Sequence, residues 1–381
     1  MLFELCCLSI GVALVCVWCA TLRMAHVTRC TAPASASLTN VVLIGDPQME
    51  GLAREERQGL YGWLNNALND HLLSVALRGV LRAAQPQLVV ALGDLFYSQW
   101  LSDPEFDYIY RRYVRSVVDN VAAFVAEPVV NMSGNHDIGY GAELRSHTLT
   151  RFEQHFGPLN SITTVAGHIV AVVNSMALDA IRDGPGVPYH NAAWAFVTDV
   201  MAEAADTGMP VILCVHIPLY KPSGSCVGDS EVIYSHGSHG VYSQTVLTEE
   251  TTELLLERLQ PVLVFSGHDH EGCVYRHEAH NVTEYTVRAA QGFYETNLGV
   301  LSIMRNESSD PDVPDSFTYA VSNCAFWHTN AYVALVAVTG VWLVAMVVVL
   351  VVRARLSARR QRRSAPKRHR RTKSPPRQRR T

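Results

Sequence analysis

The sequence contains no Gly-rich loop of the kind that cradles nucleotide phosphates and no Gly-x-Ser-x-Gly elbow. Kinase and serine-hydrolase chemistries therefore have no starting point in it. No internal repeat is present. Charge is scarce and unevenly placed: residues 331–352 carry none, and residues 353–381 carry fourteen Lys or Arg without a single acid. The net charge of −4 is thus an average over an acidic body and a basic tail. What is abundant is apolar surface: 48% of 381 residues suffices for a sizeable buried core, which excludes a peptide hormone or a disordered chain.

The charge-free stretch from Ala331 to Val352 is apolar on every face and ends at Arg353. At ~1.5 Å rise per residue it is long enough to cross ~30 Å of hydrocarbon. The basic residues after it place the tail, 353–381, in the cytosol, where it is expected to be disordered, to contact anionic lipid and to bind no nucleic acid. The globular part, residues 40–327, then lies across the membrane. Residues 1–22 form a second apolar segment in which Glu4, with no Lys or Arg before it, makes a poor start for a secretory signal. An uncleaved anchor is expected there, a cleaved signal being the alternative. Of the nine cysteines, Cys6, Cys7, Cys16 and Cys19 lie in that segment; Cys30, Cys214, Cys226, Cys273 and Cys324 lie beyond it, where an oxidising lumen permits disulfides. The sequons at Asn281 and Asn306 suit such a compartment, whereas Asn131 belongs to a motif expected to be buried.

Between the membrane segments, short β-branched runs alternate with stretches of helical period, which indicates an α/β fold. Strands are expected at Val41–Ile44, Gln87–Leu92, Pro128–Met132, Ile169–Asn174, Val211–Val215 and Val262–Phe265, and helices at Arg54–Leu81, Pro104–Val121, Ala192–Ala205 and Thr248–Leu259. The polar stretch from Lys221 to Gly240 reads as a long surface loop. The runs Cys273–Tyr275, Tyr285–Ala289 and Val300–Met304 read as one late antiparallel group. His236, His239 and His277 read as solvent-facing loop histidines, reach to the site or substrate being the alternative.

Chemistry collects where the strands end. Gly45-Asp46-Pro47-Gln48, Gly93-Asp94, Gly134-Asn135-His136-Asp137, His216 and Gly267-His268-Asp269-His270 each follow an apolar run and open a loop. Open α/β sheets gather ligands at the carboxyl ends of their strands, so these loops converge on one crevice. Carboxylates, imidazoles and an amide oxygen form a mixed N/O donor set that suits manganese, iron or zinc rather than calcium or a structural zinc site. Any one of these motifs is common as a turn or a core histidine. Their joint order is not.

That order resembles the calcineurin-like metallophosphoesterase family over about residues 41–304. The resemblance implies a sandwich of mixed β-sheets flanked by helices and two divalent metal ions, with manganese expected and iron or zinc the alternatives. Asp46 and His270 then hold one metal, Asn135, His216 and His268 the other, and Asp94 bridges them. His136 matches the family's non-ligand histidine that protonates the leaving oxygen, and Asp137 or another nearby carboxylate is expected to orient it. One position departs from the family: Gln48 stands where most members carry a histidine, so a neutral oxygen donor replaces an imidazole, and the first metal is held more weakly if Gln48 does not coordinate.

The stretch Phe152–Asn160, the pair Asn174-Ser175 and His216-Ile217-Pro218-Leu219-Tyr220 narrow the resemblance to the membrane-bound branch that removes ethanolamine phosphate from glycosylphosphatidylinositol (GPI) anchors. The same branch resemblance implies a disulfide between Cys226 and Cys273 that pins a loop over the metals, two free thiols being the alternative. It also implies the endoplasmic reticulum or an early secretory membrane, a lumenal catalytic domain and a lipid-linked phosphoester substrate. Two other functions are kept: a general lumenal or cell-surface phosphatase, and a non-catalytic receptor or adaptor that retains the fold.

Overall fold

The computed structural model describes residues 38–52, 59–179, 186–226, 228–235, 240–291, 296–306, 316–325 and 329–364, together with positions 11 and 15. The remainder of the N-terminal apolar segment, His236, His239 and the tail from residue 365 lie outside the described residues.

Among the described residues the strands are β1 (Leu38–Ile44), β2 (Leu88–Ala91), β3 (Val130–Asn131), β4 (Ser161–Val165), β5 (His168–Val173), β6 (Val211–Val215), β7 (Val232–Tyr234), β8 (Val241–Gln244), β9 (Leu263–Ser266), β10 (Cys273–His277), β11 (Val282–Thr286), β12 (Asn297–Asn306) and β13 (Ser316–Ala325). The helices that matter here are α1 (Gly59–Ala84), α2 (Asp103–Tyr113), α3 (Ser146–Phe156), α4 (Val187–Thr207), α5 (Glu249–Leu259) and α6 (Thr329–Ser364).

Two mixed sheets result. The first has the order β13-β12-β1-β2-β3 and the second β10-β11-β9-β6-β5-β4. In the first, β1, β2 and β3 run parallel; in the second, β5, β6, β9 and β11 do. Continuous apolar runs such as Val41–Ile44 and Val211–Val215 are buried along their whole length, as strands covered on both faces must be. Val41, Leu43, Val90 and Leu92 of the first sheet share one core cluster with Val170, Val172, Ile212 and Phe265 of the second, so the sheets pack face to face.

The helices start and stop where local chemistry directs. α5 is capped by the Thr248 hydroxyl, which accepts from the Thr251 amide; it opens with Glu249 and Glu250 and carries Arg258 in its last turn, matching the helix dipole at both ends. α4 closes at Gly208, whose φ of 67° is one that glycine adopts without strain. α2 carries Pro104 in its first turn and continues through a π-helical stretch, Val114–Val118, to Ala122.

Four expectations are corrected. The late strands are not one group: β10 and β11 extend the second sheet, whereas β12 and β13 complete the first, with β12 antiparallel to β1. The stretch from Lys221 to Gly240 is not all loop: it contains β7, which pairs antiparallel with β8 just after it. His277 is buried against Glu284 rather than solvent-facing, because that carboxylate needs donors inside the core. The region from Arg353 to Ser364 is helical, since Ala, Leu, Arg and Gln propagate a helix already nucleated upstream.

α6 belongs to a separate unit of the chain and contains a segment, Ala337–Arg359, long and apolar enough to cross a membrane. Cys226 and Cys273 are joined by a disulfide, which ties the chain after Lys221 to the first residue of β10. Cys214 is free and buried; Cys324 is disulfide-bonded.

Candidate metal centre

The parallel strands of both sheets deliver the singled-out residues to one place. Asp46 follows β1, Asp94 follows β2, Asn135 opens a single helical turn (Asn135–Ile138) after β3, His216 follows β6, and His268 follows β9. The centre therefore straddles the seam between the sheets. The chain must turn abruptly to bring these side chains inward. Asp46, Gln48, Asp94 and His268 accordingly sit at positive φ (34°, 36°, 48° and 68°), a conformation that non-glycine residues adopt at a cost and that clusters at functional sites.

Asp94, His216 and His268 offer ligand atoms that all lie within 4.8 Å of one another. The His216 Nε2 is 3.3 Å from the Asp94 Oδ1, 3.2 Å from the Asn135 Oδ1 and 3.9 Å from the Asp46 Oδ1. Each imidazole is aimed by its other nitrogen. The His216 Nδ1 donates to the Leu92 carbonyl (2.7 Å), which turns Nε2 toward the carboxylates. The His268 Nε2 donates to the Gln244 carbonyl (2.9 Å), which leaves Nδ1 with the free lone pair. The amides of His216 and Ile217 both donate to the Ser175 hydroxyl (3.1 and 2.9 Å), fixing the backbone after β6.

Electrostatics define what the centre requires. Asp46 and Asp94 are 0% and 1% exposed, so two carboxylates are buried side by side. Burial, only partly offset by His216, raises the Asp46 carboxyl well above its usual range. At Asp94 burial acts in the same direction, but the charge and hydrogen bond of His216 overcome it and hold the carboxyl down. Burial likewise opposes the charged form of His216, yet the two carboxylates push its pKa up to about 9. Burial and the neighbouring His216 lower His268 to about 3, so its ring is neutral. Buried carboxylates that demand a cation, a neutral imidazole and an amide oxygen fit a divalent ion of the borderline type.

Gln48 is bonded on both sides of its amide, and Asp137 stands differently from expectation. The Gln48 Oε1 faces Gln291, accepting from its Nε2 (3.3 Å), while the Gln48 Nε2 donates to the Asp94 Oδ2 (3.0 Å). An acceptor-only carboxylate draws the amide NH2 to itself, which turns the oxygen away. The Asp137 carboxylate accepts the amides of Leu95 (3.1 Å), Phe96 (3.1 Å) and Gly134 (2.9 Å), so it braces two loops and does not orient His136. Burial and nearby Asp94 raise its pKa to about 7.

The partner that orients His136 is the Tyr97 carbonyl, which accepts from Nδ1 (2.7 Å) and leaves Nε2 3.8 Å from the Asp94 Oδ2. Asp46 turns its carboxylate onto the His268 amide (3.1 and 2.9 Å). His270 is half-buried and lines, with His268, a cavity of about 340 Å³; it is not one of the three residues whose ligand atoms converge. Tyr97, Gln244 and Gln291 carry no signal in isolation. Only Gln291, directly after the apolar pair Ala289-Ala290, marks another strand-like end, and Ala289 does bridge Gly45.

Gly134 is required for steric reasons alone. A Cβ there would lie 2.1 Å from the Asp94 Oδ1 and 2.3 Å from the Asp94 amide nitrogen. Gly134→Ala is therefore expected to displace Asp94 and to weaken manganese binding by roughly 10–100-fold, the usual effect of disturbing a ligand's support. Isothermal titration calorimetry with manganese measures this, and unchanged affinity would contradict it.

Comparison with known proteins agrees with this geometry. The family model described as calcineurin-like phosphoesterase matches residues 39–272. An uncharacterized protein of Schizosaccharomyces pombe is 29% identical, covering 73% of each chain. Protein TED1 of Saccharomyces cerevisiae is 24% identical over 70% of this chain and 71% of its own. Metallophosphoesterase 1 of Ailuropoda melanoleuca is 27% identical over 75% and 74%. Among solved structures, GAP50, the anchor in the inner membrane complex of Plasmodium, aligns over 76% of this chain and 89% of its own at 12% identity, with a TM-score of 0.42. A family match over more than half the chain, on the segment that carries Asp46 to His270, shows that the protein is a metal-dependent enzyme of the calcineurin-like phosphoesterase family.

Proposed function

We propose that this chain is a membrane-tethered phosphodiesterase that removes ethanolamine phosphate from the glycan of GPI anchors, in the endoplasmic reticulum or an early secretory membrane. The observation that carries the phosphoesterase reading is the buried convergence of Asp94, His216 and His268 from both sheets. The narrower substrate rests on the branch resemblance of residues 152–160, Asn174-Ser175 and residues 216–220. The apolar segment of α6 supports tethering, which raises the encounter rate with a lipid-linked substrate. The basic residues after it support a cytosolic tail and a lumenal enzyme.

In this reading Asn135, His216 and His268 hold one ion, Asp46, His270 and the Gln48 position serve the other, and Asp94 serves both. Two divalent cations, when bound, supply Lewis-acid activation of water and neutralise the phosphate oxygens. The protein's own contribution is placement. His136, pinned through Nδ1 to the Tyr97 carbonyl, presents Nε2 at the edge of the centre, where it donates a proton to the leaving oxygen. Its side chain is 41% exposed, enough to be re-protonated from solvent after each turnover. The cavity beside His268 and His270 has Asp229 and Asp269 in its lining, surroundings compatible with the ammonium of an aminoethyl phosphate.

The full chain in detergent, loaded with manganese, is expected to hold two ions and to hydrolyse a mannose-borne aminoethyl phosphodiester in preference to sugar or nucleotide monophosphates. Preference for monophosphates would favour a general lumenal phosphatase. Absence of both bound ion and turnover would favour a non-catalytic adaptor.

A further inference from the structure

A second cleft adjoins the metal centre on the side of Gln48 and is used by nothing described so far. It measures about 80 Å³, and its polar lining comes from Gln48, Glu50, Asn66, Asn69, Asp70, Arg112 and Gln291. At ~30 Å³ per water molecule it admits two or three groups of that size, so it takes the edge of a ring and not a whole sugar.

Among the described residues that line it, the cleft offers no unpaired positive charge. The Arg112 charge is already paired: Nε and Nη2 grip the Asp70 carboxylate (2.7 and 2.8 Å) and Nη1 donates to the Glu50 carbonyl (2.5 Å). A phosphate in the cleft would find no unpaired cation among the described lining residues. What the cleft presents are side-chain amides, each with both donor and acceptor capacity. Asn66 is the telling one. It is 2% exposed, its Nδ2 is bound to the Gly51 carbonyl (3.0 Å), and its Oδ1 has no hydrogen-bond partner among the described residues. A buried acceptor left unpaired calls for a donor such as a hydroxyl. Paired amides that alternate donor and acceptor match vicinal hydroxyls, which do the same.

We infer that this cleft is a subsite for the alcohol portion of the substrate, a neutral hexose whose hydroxyls bond to Asn66 and Asn69 while its phosphate occupies the metal centre. Gln48 joins the two regions, with Nε2 on Asp94 and Oε1 on Gln291. A substrate edge seated against Gln48 is thereby held in register with the reacting centre. The inference rests on the reading of the substrate as a sugar-borne phosphodiester and adds the residues that select the sugar.

The test uses the full, manganese-loaded chain and three diesters that share the aminoethyl phosphate group: its esters with the 6-hydroxyl of methyl α-mannoside, with hexanol and with glycerol. The wild type is expected to favour the mannoside. In Asn69→Leu and Asn66→Leu, the ratio of kcat/KM for the mannoside to that for the hexyl ester is expected to fall about tenfold, the discrimination typical of a lost substrate hydroxyl contact. Metal content and melting temperature are measured alongside; Asn69→Leu keeps the test decisive if Asn66→Leu does not fold. An unchanged ratio in a folded, metal-loaded Asn69→Leu protein overturns the subsite while leaving the phosphodiesterase reading intact. A wild-type preference for the glyceryl ester overturns the sugar assignment in favour of a lipid-headgroup diol. If the wild type hydrolyses none of the three, the functional reading falls and the subsite with it.

Discussion

Asp94→Asn is expected to lower turnover by roughly 10²–10³-fold, on the scale of losing a preorganised electrostatic contact, and to reduce bound manganese from two ions per chain to one or fewer. The side chain is 1% exposed and nearly isosteric with its replacement, so the fold should survive. The pattern of donors should not. In the native protein the Asp94 Oδ1 faces the His216 Nε2 (3.3 Å) and accepts the His136 amide (2.8 Å), while Oδ2 accepts from the Gln48 Nε2 (3.0 Å). An asparagine NH2 placed on either side points a donor at a donor, and the negative charge is lost as well. His216, whose pKa is raised mainly by that charge against the effect of burial, then loses its reason to be protonated. Metal analysis of the purified variant separates loss of chemistry from loss of folding. A variant with wild-type rate and wild-type metal content would refute the assignment of Asp94 to both ions.

Glu284→Ala carries the largest expected cost in stability, about 3–5 kcal/mol, because it breaks a buried ion pair by removing one partner. Glu284 is 0% exposed in β11 and accepts from the Lys221 Nζ (3.1 Å), the His277 Nε2 (3.1 Å), the Ser266 hydroxyl (2.8 Å) and the Leu219 amide (3.1 Å). Its removal leaves Lys221, 4% exposed, as a buried charge without its counterion. Chemical denaturation in detergent measures the loss. The double variant Lys221→Met/Glu284→Leu is expected to recover most of it, since an apolar pair of similar volume replaces the ions. The same group sets an acid limit. Burial acts to raise the Glu284 pKa, but Lys221 and His277 outweigh it, and the folded value lies below the ordinary one. Its contribution is therefore complete above the unfolded carboxyl's ~4.3 and is lost as pH falls toward the folded value.

Much of this site was legible because it is built from strand ends. Asp46, Asp94, Asn135, His216 and His268 each follow an apolar run, and burial on both faces makes such runs easy to see. What was not legible has a common cause: it depends on partners distant in sequence or on the backbone. The aim of His136 is set by the Tyr97 carbonyl and that of His268 by the Gln244 carbonyl, and a carbonyl has no residue type. The side-chain pairing of Gln48 with Gln291 spans 243 positions. Asp137 beside His136 invited a catalytic reading that only the three amides on its carboxylate replace. β13 was missed because Phe317, Tyr319 and Val321 alternate with small or polar residues on an edge strand, a pattern that short stretches of coil share.

The position of the metal centre on the seam between the sheets has a consequence for how the protein matures. Asp46 and His268 are 222 residues apart, and one ligand group cannot meet the other until both sheets have formed and docked. Contacts of such separation come late, after the entropy of closing the long intervening loop has been overcome. A chain arrested with one finished sheet has Asp46, Asp94 and Asn135 but neither His216 nor His268 beside them. Capture of the ions then selects completed molecules and draws the population toward the native state by mass action. Metal binding by this protein is therefore expected to begin only once its two sheets have docked.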